Sequence, residues 1–286
     1  MNRKLFIIIA LFFSSAFPQV CISFIGDCTI GCDARWTKFD DYVEKYGYAY
    51  FLSGVRSVLA ADDYSVANLE TAIIDSGIPI EKQFRFRGKP EYLTIFKEGS
   101  VECVTTANNH SWDYGDSGYA QTQRNLSRYG IDFFGYDKIL TKDIKGLRFA
   151  FIGQSFSLQD SILPLIRSIR DSVDFIVVVV HWGNERKYQP DKKQKAMGHA
   201  LIDAGADLVV GHHPHVLQPI EKYHGRYIAY SLGNFVFGGN VNPRDKRTEI
   251  LQVYFTKNGT PSIKEIPCRI SSVDTVNDFR PVFPVK

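Results

Sequence analysis

The sequence lacks a strong excess of charge of either sign. Its 286 residues include 34 Lys and Arg against 31 Asp and Glu, which leaves a net charge of +3. Nucleic-acid-binding domains are usually far more basic, so no nucleic acid is expected as a partner. The chain also lacks low-complexity segments, internal repeats and, after residue 20, any linker rich in Gly, Pro or Ser. A single domain over residues 20–286 is therefore predicted.

Cysteine is scarce as well. The chain has five cysteines, an odd number, at positions 21, 28, 32, 103 and 268. The absence of a Cys-X-X-Cys pair argues against a structural zinc site. A disulfide between Cys28 and Cys32 is compatible with the sequence, whereas the apolar runs around Cys21 and Cys103 are typical of buried thiols.

The first residues have the order of a secretory signal peptide. A basic start, MNRK, precedes the apolar run LFIIIALFF and the small residues SSA. A membrane anchor is the alternative, because no charge occurs between Leu5 and Gly26. However, residues 20–26 are typical of a buried strand, and residues 4–17 would span only about 21 Å as a helix. A cleaved signal peptide over residues 1–19 is therefore predicted, with the mature protein periplasmic or on the extracytoplasmic face of the membrane.

Apolar runs of strand type alternate with amphipathic runs of helix type along the rest of the chain. The run DFIVVVV is typical of a strand buried on both faces. Strands are predicted at 20–26, 64–70, 101–107, 131–135, 147–153, 174–180, 206–211, 226–231, 250–255 and 262–267. Helices are predicted at 48–60, 116–129, 160–170 and 191–204. This alternation favours an α/β layered fold with mixed sheets.

Residues that commonly ligate metals follow five of the predicted strands. They are Asp27, Glu70, Asn109, His181, His213 and His215. Ligands of open α/β sheets gather outside the carboxyl ends of the strands, so these side chains are expected at one edge. Imidazole and carboxylate groups together suit Mn, Zn or Fe. His212 is expected in a supporting role beside the pair His213 and His215.

Structural alternatives exist for several of these residues. Glu70 could interact with a helix dipole, and Asp27 could be an ordinary turn residue. Asn109 and His110 could form only a left-handed turn. The convergence of so many polar residues favours the metal site, since a buried carboxylate needs a compensating cation.

Several motifs together resemble a known family. They are FIGD, NLE, FRGKPE, NNHSWDYG, HWGNE, AGADLVVGHHPHVLQPIE and YSLGNFVF, in this order over residues 20–256. The sequence is similar to the poly-γ-glutamate capsule synthesis protein (CapA) family, a branch of the calcineurin-like metallophosphoesterases. The resemblance implies a four-layer α/β/β/α sandwich with two mixed sheets and a site for two divalent metal ions.

The resemblance also implies a role for each candidate residue. Metal A would be held by Asp27, Glu70 and His215, and metal B by Glu70, Asn109, His181 and His213. Thr29 stands where the superfamily usually has another histidine, so metal A is expected to be the more weakly held ion. His110 matches the catalytic histidine, while Asp113 and Gly115 are expected to fix the shape of its loop.

Arg87, in FRGKPE, is a candidate for binding an anionic substrate, because guanidinium pairs with phosphate and carboxylate groups. A surface salt bridge is the alternative for Arg87. The first functional hypothesis is an exported metal-dependent hydrolase or transferase that acts on an anionic polymer or envelope precursor, together with a membrane-bound capsule synthesis complex. The others are a general phosphomonoesterase or phosphodiesterase, and a non-catalytic envelope scaffold that retains the metal site.

Overall fold

The computed structural model describes residues 19–33, 35, 38–136, 138–156, 161–257 and 259–284. The predicted signal peptide lies almost entirely outside the described residues. Sixteen strands occur in the described part of the chain: β1 Gln19–Thr29, β2 Cys32–Asp33, β3 Tyr64–Leu69, β4 Ala72–Ile73, β5 Phe86–Gly88, β6 Cys103–Thr105, β7 Asp132–Phe134, β8 Leu140–Ile144, β9 Leu147–Ser155, β10 Phe175–His181, β11 Leu208–His212, β12 Leu217–Tyr223, β13 Arg226–Leu232, β14 Asn234–Phe237, β15 Arg247–Thr256 and β16 Ser262–Arg269.

The same residues contain six α-helices and three short 3₁₀ helices. The α-helices are α1 Lys38–Tyr46, α2 Arg56–Leu59, α3 Thr94–Gly99, α4 Gly115–Tyr129, α5 Ile162–Ile169 and α6 Lys192–Ala204. The 3₁₀ helices are Tyr48–Tyr50, Pro90–Leu93 and Arg170–Ser172. Among the described residues, no helix is both long and apolar enough to cross a membrane.

The first sheet has the order β16-β15-β1-β3-β6-β7, with β14 also paired to β1. Strands β1, β3, β6 and β7 run parallel to one another. Strand β15 pairs antiparallel with β1 on one side and with β16 on the other. The pairing of β1 with β3 shifts register between Phe24 and Asp27. Gly26 lies in this irregularity, and a Cβ there would stand 2.2 Å from the Gly233 carbonyl oxygen. Only glycine permits this close approach, which sets the direction of Asp27 at the strand end.

The second sheet has the order β12-β13-β11-β10-β9-β8. Its four inner strands are parallel, and β8 and β12 are antiparallel edge strands. Strand β10 is buried along its whole length, as its run of valines predicts. A third, small sheet has the order β2-β5-β4.

Three apolar layers hold the sheets and helices together. Side chains from both large sheets, including Phe24, Phe151 and Phe255, fill the space between the sheets. Phe39 and Phe96 belong to a second core on the outer face of the first sheet, beneath the helices on that side. A third core packs α5 and α6 against the outer face of the second sheet. The predicted α/β/β/α arrangement with mixed sheets is therefore confirmed.

Most of the predicted elements are present, with shifted ends. All ten predicted strands occur, and three of the four predicted helices correspond to α4, α5 and α6. The fourth, at 48–60, is interrupted between Tyr50 and Arg56. Gly54 lies in the gap, where a Cβ would stand 2.3 Å from the Pro281 carbonyl oxygen. All five cysteines are in the described part of the chain, and none forms a disulfide, so Cys28 and Cys32 are not bridged.

Candidate metal centre

Strand ends from both large sheets meet at one edge of the sandwich. Asp27 belongs to the end of β1 and Glu70 directly follows β3, both in the first sheet. His181 ends β10, and His213 and His215 follow β11, in the second sheet. The centre therefore lies at the junction of the two sheets, where parallel strands of each sheet end.

Glu70 occupies the middle of this centre. Its side chain is fully buried, and neither carboxylate oxygen has a hydrogen-bond partner among the described residues. Its Oε1 lies 3.5 Å from His181 Nε2, 3.9 Å from His215 Nε2 and 4.0 Å from His110 Nε2. Burial raises the pKa of Glu70 well above its usual range, because the charged form has lost its solvation. Such a carboxylate is a suitable ligand for cations.

Two groups of potential ligands share Glu70. Asp27, Glu70 and His215 form one group, and Glu70, His181 and His213 form the other, each with ligand atoms within 4.8 Å of one another. Asn109 joins the second group, since its Oδ1 lies 2.9 Å from His181 Nε2. The Nδ1 atom of His213 is buried and, within the described residues, has no hydrogen-bond partner. These donor sets of carboxylate, imidazole and amide oxygen fit divalent transition metals.

The two oxygens of Asp27 have different surroundings. Oδ1 accepts a hydrogen bond from Asn68 Nδ2 at 2.8 Å and lies 2.9 Å from His212 Nδ1. Oδ2 accepts from the His213 backbone N–H at 3.2 Å and lies 3.3 Å from His215 Nδ1. Burial alone would raise the pKa of Asp27, but these imidazole contacts hold it well below its usual range. The Oδ2 side faces His215, which belongs to the same group of potential ligands.

The histidines respond to the same charges in opposite ways. Burial lowers the pKa of His213 to about 4, and the neighbouring His215 adds to this effect. Burial also disfavours the charged form of His215, but Glu70 and Asp27 outweigh it and raise the pKa of His215 to about 10. A centre that stabilises a positive charge between Asp27 and Glu70 has the electrostatics that a bound cation requires.

The loop after β6 holds His110 at the rim of the centre. Asp113 Oδ2 lies 2.6 Å from His110 Nδ1, while the Asn108 Oδ1 atom accepts from the His110 backbone N–H at 3.0 Å. The Nε2 atom of His110 consequently faces Glu70. Gly115 adopts a φ of 63°, a left-handed conformation that suits glycine, where the loop turns into α4. The stretch NNHSWDYG thus forms an ordered loop that presents one imidazole nitrogen to the candidate ligands.

The sequence is similar to known capsule synthesis proteins over most of its length. A family model described as "Bacterial capsule synthesis protein PGA_cap" matches residues 21–239. The chain belongs to this family. It is 30% identical over 276 residues to "PGA biosynthesis protein CapA" of Bacillus subtilis (strain 168), an alignment that covers 87% of this chain and 71% of that protein. It is also 30% identical over 284 residues to "Capsule biosynthesis protein CapA" of Bacillus anthracis, covering 88% of this chain and 68% of that protein.

The structure brings all six predicted metal ligands of this capsule synthesis family member together, with His110 beside them. Thr29 occupies the position where the superfamily usually has a histidine, and its buried hydroxyl has no hydrogen-bond partner in the described chain. His212 does not fill this position, because it contacts Asp27 Oδ1 and belongs to neither group of potential ligands. The group of Asp27, Glu70 and His215 therefore offers two carboxylates and one imidazole.

Arg87 differs from the other candidates. Its side chain is exposed, and this side chain forms no ion pair or hydrogen bond with the described residues. The surface salt bridge that was the alternative for Arg87 is therefore not observed. The neighbouring Phe86 packs its ring against His110, with 4.2 Å between ring centroids. Because successive side chains of a strand point to opposite faces, Arg87 points away from His110. Its role as a substrate ligand is left as a prediction.

Sequence reasoning missed two side chains that organise the centre. Lys82 Nζ lies 2.7 Å from Asp113 Oδ1 and donates to the Asn109 carbonyl oxygen at 2.7 Å. Asn68 Nδ2 contacts both Asp27 and His181, and its Oδ1 accepts from Asn108 Nδ2. The position of Asn68, two residues before Glu70 on β3, was a usable signal because alternate strand residues share a face. Lys82 lies in a loop remote in sequence from Asp113 and gave no such signal.

Proposed function

We propose that the protein is an exported, metal-dependent hydrolase or transferase that acts on an anionic envelope polymer or its precursor. The observation that carries this proposal is the buried Glu70 carboxylate, which lies between two groups of ligand-type side chains and lacks hydrogen-bond partners among the described residues. The names of the relatives, which refer to capsule and PGA biosynthesis, support poly-γ-glutamate as the polymer and the cell envelope as the place of action.

Two divalent ions would be held by the residues of the centre. Asp27, Glu70 and His215 would hold metal A, and Glu70 would be shared with Asn109, His181 and His213 at metal B. When bound, the two ions would supply Lewis-acid polarisation of the substrate and lower the pKa of an attacking water molecule. Mn, Zn or Fe suit this mixture of imidazole and carboxylate ligands, and metal A would be the weaker site because Thr29 provides no imidazole.

His110 would handle the proton of the leaving group. Asp113 holds Nδ1 of His110 and leaves Nε2 directed toward the centre, where a bound substrate would lie. A proton carried at Nε2 could then pass to the departing oxygen or nitrogen atom, or stabilise the developing negative charge. This imidazole–carboxylate pair favours a catalytic protein over a scaffold, because binding a metal ion does not itself require such a pair beside the ligands.

The proposal is tested by metal content and activity in two single variants. Purified wild-type protein reconstituted with Mn, Zn or Fe is expected to hold about two ions per chain, or one if metal A is lost. His213→Ala should lose metal B together with activity, since it removes a ligand. His110→Ala should keep its metal content, while turnover falls by about 10²–10⁴-fold.

The measurements are elemental analysis, a melting curve and turnover of γ-glutamate oligomers and of a phosphodiester. Wild-type protein that holds no ion above background would overturn the metal-dependent reaction. If His110→Ala lost the ions as completely as His213→Ala, His110 would be a ligand and its catalytic assignment would be wrong. Turnover of the phosphodiester alone would favour a general phosphodiesterase.

A further inference from the structure

A surface cavity of about 510 Å³ adjoins the candidate metal centre. Its lining includes Phe156, Trp182, Lys192 and Lys193. The Phe156 ring meets the imidazole rings of His181 and His213 edge-on, with centroid distances of 5.6 Å and 4.9 Å. The cavity therefore shares the Phe156 ring with the surroundings of His181 and His213.

Phe156 has an unusual combination of conformation and exposure. Its φ of 52° is left-handed, which is unfavourable for a bulky residue, and its backbone N–H donates to the His181 carbonyl oxygen at 2.7 Å. Its ring is nevertheless 47% exposed, so this conformation does not serve to bury apolar surface. Strained residues persist mainly where function requires their geometry. The exposed ring offers an apolar wall for a ligand that leaves the centre.

Lys192 and Lys193 supply positive charge to the same cavity. Both are exposed, and neither forms an ion pair with a residue in the described ranges. They occupy the first turn of α6, which contains no acidic residue, although positive charge there opposes the helix dipole. Asp191, the acidic residue of the lining, uses its two oxygens to accept hydrogen bonds from the Gln194 backbone and from Asn184. The lysines are thus placed against the preference of the helix, and the Asp191 carboxylate is held by these two hydrogen bonds rather than by an ion pair with either lysine.

We propose that this cavity binds the extended part of the substrate, a chain in which carboxylates alternate with short aliphatic spacers. The inference rests on the proposed function and adds a subsite beside metal B. The ammonium groups of Lys192 and Lys193 pair with successive carboxylates, and the Phe156 ring covers the spacer between the reacting group and the first carboxylate. A γ-linked glutamate chain has this chemistry, whereas inorganic phosphate has charge without a spacer.

The test is direct binding of a fluorescent γ-glutamate oligomer of six units to metal-loaded, full-length protein carrying His110→Ala, so that the probe is not consumed. In that background, Lys192→Glu with Lys193→Glu should weaken binding by about tenfold, since two attractions become repulsions of a few-fold each. Phe156→Ala should weaken binding by about threefold or more, and Phe156→Leu should retain most of the affinity.

The matched control reverses the charges of two exposed lysines that lie in other elements, Lys97 in α3 and Lys264 in β16. This control should change the affinity by less than about twofold, because screened charges at a distance contribute little. Melting curves check that each variant is folded.

The subsite is overturned if the control pair weakens oligomer binding as much as the Lys192 and Lys193 pair does, or if the Lys192 and Lys193 pair does not weaken it. It is also overturned if the wild-type protein does not bind the oligomer. Specific binding of the oligomer, combined with no turnover of γ-glutamate oligomers by the wild-type protein, supports the subsite while refuting the proposed reaction. The two proposals therefore fail in distinguishable ways.

Discussion

Asp113 should act on the reaction through His110 and through no other group. Its carboxylate is completely buried and contacts three partners: Oδ2 lies near His110 Nδ1 and accepts from the Phe86 backbone N–H, and Oδ1 pairs with Lys82. Asp113→Asn keeps the shape but cannot satisfy all three. If the amide oxygen takes the Oδ2 position, the NH₂ group faces the Lys82 ammonium group, and two hydrogen-bond donors meet. If the amide is reversed, the NH₂ group faces the Phe86 N–H, and two donors meet there instead.

The magnitude follows from these contacts. Breaking a fully buried charge pair costs about 3–5 kcal/mol, but Lys82 is partly exposed and can turn toward solvent, so a loss of about 1–3 kcal/mol in the free energy of unfolding is expected. Turnover should fall by roughly 10- to 1000-fold, up to the contribution of a general acid, because His110 loses the carboxylate that orients its ring and that opposes the lowering of its pKa by burial. Metal content should stay near wild type, since Asp113 contacts none of the candidate ligand atoms.

A double-mutant cycle isolates the mechanism. If Asp113 works only by positioning His110, then Asp113→Asn should have little further effect on turnover in a His110→Ala background. Asp113→Glu should recover part of the activity, and Asp116→Asn, an exposed change three residues away, is the matched control. Turnover that survives in folded, metal-loaded Asp113→Asn, or fully additive losses in the double variant, would refute the reasoning.

Two further predictions concern stability and export. Burial raises the pKa of Glu249 to about 7, so folding favours its protonated form and the folded state loses stability as pH rises from 4.5 through 7. Glu249→Gln should therefore increase the free energy of unfolding by up to about 3 kcal/mol at pH 8 and by little at pH 4, measured by chemical denaturation. Equal effects at both pH values, or an equal effect of the exposed control Glu44→Gln, would contradict this. The basic and apolar start of the chain predicts processing between about residues 16 and 19, which N-terminal sequencing of envelope-fraction protein checks; an intact Met1 on cytoplasmic protein would contradict it.

The long elements of the fold were predictable because their signal is local. Strand β10 and helix α5 carry hydrophobic patterns over seven or more residues, and those patterns determine their type. Strands β2, β4 and β5 have only two or three residues each and exist through pairing between distant parts of the chain. Helix α1 was missed, although Phe39, Tyr42 and Val43 have helical spacing and pack in the core beneath it.

The candidate site was predictable where a ligand directly follows a strand. The edge that collects His181 and His213 follows from parallel pairing of β10 and β11, which the sequence pattern indicates. The contacts of Lys82 depend on how its loop approaches the loop after β6, and no local pattern specifies that approach. The cavity beside Phe156 likewise depends on where α6 packs against its sheet.

The division of the ligands between two sheets has a consequence for the order of folding. The contact between Asp27 and the His213 backbone joins residues that are 186 positions apart in the chain. An emerging chain therefore cannot complete either group of ligands until the second sheet has been made and has docked on the first, so no preformed site exists before that step. Since similar ligand sets bind several transition metals, availability in the compartment where the sheets close would decide which ion is captured.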